Sequence, residues 1–177
     1  MSLETPRLRL LPYSPEQLLC LIEHPEGFEQ LAGFPAADGL RSFFVSGDVS
    51  PDFLASLRAS QGSDPWRYGF AVVHRGSRSV IGNAGFKGPP DPAGMVEIAY
   101  GIVPGFEGGG YATEAAAALV QFAVDSGTVR LLRAHTLPEV NASGGILAKC
   151  GFHRVGEVED PEDGPVWRWE RSAIAGT

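Results

Sequence analysis

Cysteine is scarce in this chain of 177 residues: Cys20 and Cys150 are the only two, and no CxxC spacing is present. A disulfide framework therefore lacks its material, and a reducing compartment, the cytoplasm, is the expected setting. Histidine is sparse as well. His24, His74, His135 and His153 make no HxxxH or mixed Cys/His spacing, so no metal site is expected. Basic residues number 14 against 21 acidic ones, and they are scattered. Nucleic acid, whose phosphates call for clustered Lys and Arg, is excluded as a partner, and at a formal charge of -7 a cationic or neutral partner fits better. Long apolar runs are missing too. Nothing approaches the roughly 18 residues of a membrane span, and Glu4, Arg7 and Arg9 stand where an export signal would be apolar.

What is present is the composition of an ordinary folded protein, 44% hydrophobic and 20% charged, without repeats or low-complexity tracts. A chain of this length buries roughly 70% of its unfolded surface, so a single domain over 1–177 is expected. Pro6 to Pro12 alternates with period two and suits an edge strand with its arginines in solvent. Ser14-Pro15 opens a helix that Pro25 ends, and Ser50-Pro51-Asp52 opens another. Between them, Gly27 to Gly47 is an irregular stretch suited to a substrate mouth.

Tyr68 to Val73, Val80 to Phe86 and Met95 to Val103 are β-branched and aromatic runs separated by turn residues, which predicts an antiparallel meander. Helix Tyr111 to Ser126, strand Arg130 to Thr136, helix Ala142 to Lys149 and strands Phe152 to Val158 and Val166 to Arg171 follow, with a frayed tail over Ser172 to Thr177. The sum is a mixed α/β fold: about six or seven mostly antiparallel strands flanked by about four helices.

The informative window is residues 96 to 123, VEIAYGIVPGFEGGGYATEAAAALVQFA, where a strand enters a glycine-rich turn and then an amphipathic helix burying Ala115, Ala118, Leu119, Phe122 and Ala123. Glycines at 108 to 110 let the backbone approach a ligand closely, and the first free N–H groups of the helix make an anion cradle. The Walker pattern fails, because Tyr111 and Ala112 stand where Lys and Ser or Thr would hold a reacting phosphate. The dinucleotide fingerprint fails too, because Thr113 replaces its last glycine and the preceding strand closes a meander. A phosphate held by backbone dipoles alone suits a diphosphate that anchors a cofactor without reacting; the bland alternative is a merely flexible loop.

The segment GFEGGGYATEA resembles the Gln/Arg-x-x-Gly-x-Gly/Ala signature of the GNAT acetyltransferases, with Gly105 in place of the usual Gln or Arg. LETPRLRLLPYSPEQ, IGNAGFKGPPD, VEIAYGI and NASGGILAKCGF are similar to that family's opening strand, third strand, fourth strand and last helix, in the right order. The combination looks most like the subgroup related to ribosomal-protein N-terminal acetyltransferases, whose acceptors are protein N-termini, amino acids or other small amines. The resemblance implies a sheet splayed between its fourth and fifth strands and acetyl-CoA as cosubstrate. It also implies a pyrophosphate held by Gly108, Gly109, Gly110, Tyr111, Ala112 and Thr113, and pantetheine paired along the strand at Ile102 and Val103.

An attacking amine has a pKa near 10 and must lose a proton, so positioned carboxylates matter. Glu97 interrupts the fourth strand on the face opposite Val96, Ile98, Tyr100 and Ile102; it is either a solvated strand residue or, as the resemblance implies, the base. Glu114 is explained by the helix dipole. Asn141 and Ser143 are either helix caps or, by resemblance, a pantetheine contact and a donor to the departing thiolate. The family's frequent general-acid tyrosine is missing, Ala148 standing near its place. Backbone near Val103 is the candidate oxyanion donor, and Arg130, Arg133 and Lys149 are equal candidates for the 3′-phosphate of CoA.

The expected activity is acetyl transfer to a primary amine in a ternary complex, with Glu97 and Ser143 catalytic and a small-molecule or peptide amine as acceptor. The alternatives are a CoA-binding sensor or scaffold with little or no turnover, and an anion-binding domain without CoA. A homodimer is left open.

Overall fold

Serine and proline punctuation fixes the first elements of the chain, of which the computed structural model describes residues 1–45 and 50–174. Strands β1 (Leu3–Glu4) and β2 (Leu8–Pro12) pair antiparallel, Leu3 opposite Leu10. The two-residue β1 thus takes the sheet edge expected for β2, and the prolines of β2 lie at its ends. Alternation buries Leu8 and Leu10 completely. The arginines between them are not simply solvated: Arg9 pairs with Glu4 and Arg7 with Glu114.

Helix α1 (Pro15–Glu23) starts in a reciprocal capping box, the Ser14 hydroxyl accepting from Gln17 N–H and the Gln17 side chain from Ser14 N–H. Such a cap stabilises a helix by about 1 kcal/mol. The irregular stretch that follows contains the short helices α2 (Phe28–Ala32) and α3 (Ser42–Val45); positions 46 and 47 of it lie outside the described residues. Helix α4 (Pro51–Ala59) is capped by Ser50. Helix α5 (Pro65–Tyr68) removes Tyr68 from the strand expected to begin there, because Asp64 caps Trp66 N–H and Pro65 starts a helical turn.

The meander is then β3 (Phe70–His74), β4 (Ser79–Phe86) and β5 (Met95–Ile102). Helix α6 (Tyr111–Ser126), strand β6 (Leu131–Thr136), helix α7 (Ala142–Lys149) and strands β7 (His153–Asp160) and β8 (Gly164–Ser172) complete the chain. The sheet has eight strands in the order β1-β2-β3-β4-β5-β6-β8-β7. The small β1 raises the expected count, and the one-turn helices α2, α3 and α5 raise the helices to seven among the described residues. The tail is tied down further than expected: Ser172 pairs with Leu131 and Ala173 N–H donates to Arg130 O at 3.0 Å.

Register decides what each face carries. Asn83 lies opposite Gly101 and Gly85 opposite Ala99, so Asn83, Gly85, Glu97, Ala99 and Gly101 share one face. Phe86, Ile98, Tyr100 and Ile102 project from the other, where Phe122 of α6 packs on Phe70 and Phe86. Helix α6 buries Ala116 and Val120 beside Ala115, Leu119 and Ala123, while Ala118 and Phe122 stay half-buried. Strands β5 and β6 run parallel and pair only at Met95, Val96 and Glu97; beyond Glu97 they part.

Candidate functional site

That parting opens a cleft of about 890 Å³. Tyr100, Gly101 and Ile102 of β5 line one side of it, the glycine loop and the start of α6 another, and Ala142, Ser143, Ile146 and Lys149 of α7 a third. Gly108 and Gly110 adopt φ of 81° and 84°, a left-handed conformation that residues with a Cβ rarely take. Gly110 caps α6 without a side chain, so the first amides of a 16-residue helix are left for whatever enters the cleft.

Of the residues expected to hold a cofactor, Ile102, Gly108, Gly110, Tyr111, Ala112, Thr113 and Ser143 line this cleft. Three do not. Val103 is buried and its N–H is spent on Ile81 O at 2.8 Å, so it is no oxyanion donor. The Gly109 carbonyl accepts from Arg7 Nη1 at 2.8 Å, on the outer side of the loop. The Asn141 side chain accepts from Gly144 N–H at 3.1 Å and serves as the cap of α7. Among Arg130, Arg133 and Lys149, Lys149 alone lines the cleft; Arg133 pairs with Glu170 and the Arg130 stem packs beside Gly94.

The loop is braced from the N-terminal strand. Arg7 Nε lies 2.9 Å from Glu114 Oε1, and its guanidinium sits 4.4 Å from the centroid of the Tyr111 ring. Glu114 Oε2 accepts from Arg7 N–H and the Thr5 hydroxyl. Burial pushes the Glu114 carboxyl up, but these donors outweigh it and hold the pKa below 4.5. His74 completes the brace by packing on Phe106 and Tyr111. Glu114 thus acts through partners far away in sequence, and sequence reasoning found only its dipole role.

Glu97 lies where the strands part. Its Oε2 accepts from His135 Nδ1 at 2.9 Å and from Lys87 Nζ at 3.0 Å, and no hydrogen bond among the described residues reaches Oε1. His135 Nε2 accepts from Arg168 Nε at 3.1 Å, which places the imidazole proton on Nδ1, facing Glu97. Burial raises the Glu97 pKa, but His135 and Lys87 prevail and the carboxyl stays below its ordinary 4.5. It is neither fully solvated nor buried, its side chain being 17% exposed.

A cavity of about 150 Å³ beside Glu97 is also lined by Tyr100, His135 and Ser143, and it shares Tyr100 and Ser143 with the large cleft. Both expected catalytic residues therefore border one space. Tyr100, which sequence reasoning grouped with the apolar strand residues, lines both spaces together with Ser143. Burial, and secondarily Cys150, pushes its hydroxyl pKa up to about 12, so it is a proton donor at neutral pH. The only sequence signal was a polar aromatic in the strand that borders the splay. This arrangement offers a hydroxyl pair on one side and a carboxylate with a free oxygen on the other.

Comparison with known proteins gives a consistent family. A family model described as the acetyltransferase (GNAT) domain matches residues 7–153. The uncharacterized N-acetyltransferase YjdG of Bacillus subtilis strain 168 is 29% identical over 126 residues, 71% of this chain and 70% of YjdG. The ribosomal-protein-S5-alanine acetyltransferase of Vibrio fischeri superposes with a TM-score of 0.66 at 13% identity, over 100% of this chain and 99% of that one. RimL, a ribosomal-protein acetyltransferase solved in complex with coenzyme A, gives 0.67 at 12% identity over 97% and 98% of the two chains. The last two likenesses concern the fold.

Proposed function

This chain belongs to the GNAT acetyltransferase family, and on that premise we propose that it moves an acetyl group from acetyl-CoA to a primary amine by direct attack in a ternary complex. The observation that carries the reading is that Tyr100 and Ser143 line both the cleft and the cavity beside Glu97. The cleft suits CoA by its own chemistry. Its positive-φ glycines and uncapped helix amides fit a pyrophosphate, and Lys149 supplies a cation for the 3′-phosphate. The likeness to RimL, which was solved with coenzyme A, supports the same ligand.

In this reading the ammonium of the acceptor loses a proton to Glu97 Oε1, directly or through water. The neutral nitrogen then attacks the thioester carbonyl carbon, the C–N bond forms and the C–S bond breaks; the nitrogen gives its second proton to water, and Ser143 or Tyr100 protonates the departing thiolate and regains its own proton from water. Because Lys87 and His135 keep Glu97 ionised, it is ready to accept a proton throughout the neutral range. A thiol of ordinary pKa near 8.5 leaves readily, so most of the rate rests on holding amine and thioester together, worth about 7–11 kcal/mol.

The test is calorimetric titration with acetyl-CoA, followed by CoA release over a panel of amines. Micromolar binding with release is expected. Binding with no release for any amine would make the chain a CoA sensor, and no binding would remove the reading altogether.

A further inference from the structure

On the face of the sheet that carries Glu97 lies a second cavity, of about 170 Å³, which shares Ala99 with the Glu97 cavity. The rings of Tyr13 and Phe44, packed edge to face at 6.2 Å, form one wall; the Gly69 backbone lies against Gly85, and Ala99 adds only a methyl group to the lining. At about 30 Å³ per water-sized group, this space takes roughly five to six heavy atoms, the size of a benzene ring.

Its polar groups are donors. The Asn83 carbonyl oxygen accepts from the Tyr13 hydroxyl at 2.7 Å, which leaves the Asn83 amide hydrogens without a partner among the described residues. The hydroxyl of Tyr68, another lining residue, is buried with no hydrogen-bond partner among the described residues. Arg67 is exposed at the mouth, its guanidinium 5.7 Å from the centroid of the Tyr68 ring and in no ion pair among the described residues. Among the described residues Glu97 is the only carboxylate lining either cavity, and Lys87, His135 and Arg67 line the same two spaces. The site is thus locally donor-rich in a chain whose formal charge is -7.

Building on the proposed acetyl transfer, we infer that the acceptor is a monoamine with an apolar, ring-sized body and a carboxylate at its far end. Its amine would meet Glu97, its body would lie beside Ala99 against the wall made by Tyr13 and Phe44, and its carboxylate would meet Arg67. Glu97 and Ala99 are two strand positions apart, about 7 Å, so amine and carboxylate stand at least that far apart. This excludes polyamines, whose second cation would meet Arg67, and α-amino acids, whose two charged groups are adjacent.

An isosteric series reads the far end directly: para-aminomethylbenzoate, its carboxamide and para-xylylenediamine, each assayed for CoA release. The carboxylate should exceed the carboxamide in kcat/KM by about two- to fivefold, as expected for an exposed ion pair, and the diamine should be poorest. Arg67→Gln should erase the preference through KM while acetyl-CoA affinity stays unchanged. Ala99→Leu should fill the pocket and suppress all three acceptors while acetyl-CoA still binds. Equal or better use of the carboxamide or diamine by the wild type would overturn this inference, and so would a preference that survives Arg67→Gln. Failure to bind acetyl-CoA would instead overturn the function it rests on.

Discussion

Glu97 and His135 join strands β5 and β6 by a 2.9 Å side-chain hydrogen bond just past the last backbone pairing, Glu97 with Arg133. The bond spans the start of the splay and sets the protonation state of the proposed base. Because Lys87 and His135 hold Glu97 below 4.5, its loss of function on acidification belongs below that pH. A rise of kcat/KM with pH near neutrality should therefore persist in Glu97→Gln, since it reports deprotonation of the amine. The variant should nonetheless lose about 10²- to 10⁴-fold in kcat/KM at every pH, the usual range for general base catalysis. Paired pH–rate profiles with acetyl-CoA titrations check this; a variant within about threefold of wild type makes Glu97 a structural carboxylate.

The hydroxyl pair predicts redundancy. Ser143→Ala should cost about tenfold or less in turnover, because Tyr100 or water can still protonate a thiolate that leaves readily. Tyr100→Phe alone should be similarly mild, and the double variant should lose more than the product of the two. Single-turnover rates at saturating acetyl-CoA measure the coupling.

The brace on the glycine loop predicts a stability that depends on acid. Glu114 has a folded-state pKa below its unfolded value, so its contribution is complete above 4.5 and disappears as pH falls through the lower folded value. Glu114→Gln should lower stability by roughly 1 kcal/mol at neutral pH, the pair being half exposed on the Arg7 side, or about 2–4 °C in Tm. The gap between mutant and wild-type melting curves should close on acidification below 4.5. A gap constant with pH would show that the carboxylate charge is not what holds the loop.

Two substitutions separate the parts of the proposed cofactor. Gly110→Asp should abolish acetyl-CoA binding, because it sets a carboxylate where the pyrophosphate would lie and a Cβ 3.2 Å from Arg7 Nη2, at a φ of 84°. Lys149→Ala should weaken acetyl-CoA but not its analogue lacking the 3′-phosphate. Calorimetry on both ligands is the check; equal weakening of the two would place the phosphate elsewhere.

Legibility from sequence followed the range of the interactions. Helices α6 and α7 were bounded to the residue, because Gly110 and Asn141 are local punctuation and the burial pattern between caps is local too. Strand β1 was missed because two residues carry no period, and α5 because Asp64-Pro65 capping competes with the β-propensity of Trp66 and Tyr68. At the site, the glycine cradle was readable because it needs no distant partner. The Arg7 brace, the closing of Val103 N–H by Ile81 and the His135 contact to Glu97 depend on residues brought together by the sheet, which nothing in the local pattern encodes.

The Arg7–Glu114 brace joins residues 107 positions apart. Closing so long a segment costs entropy that local contacts do not repay, so interactions of this kind mature late in folding. The order of assembly then runs opposite to the order of use. Arg7, just ahead of strand β2, is made early on synthesis and stays without Glu114 until α6 has emerged, and the loop that would receive the cofactor gains its shape only when these two segments have met.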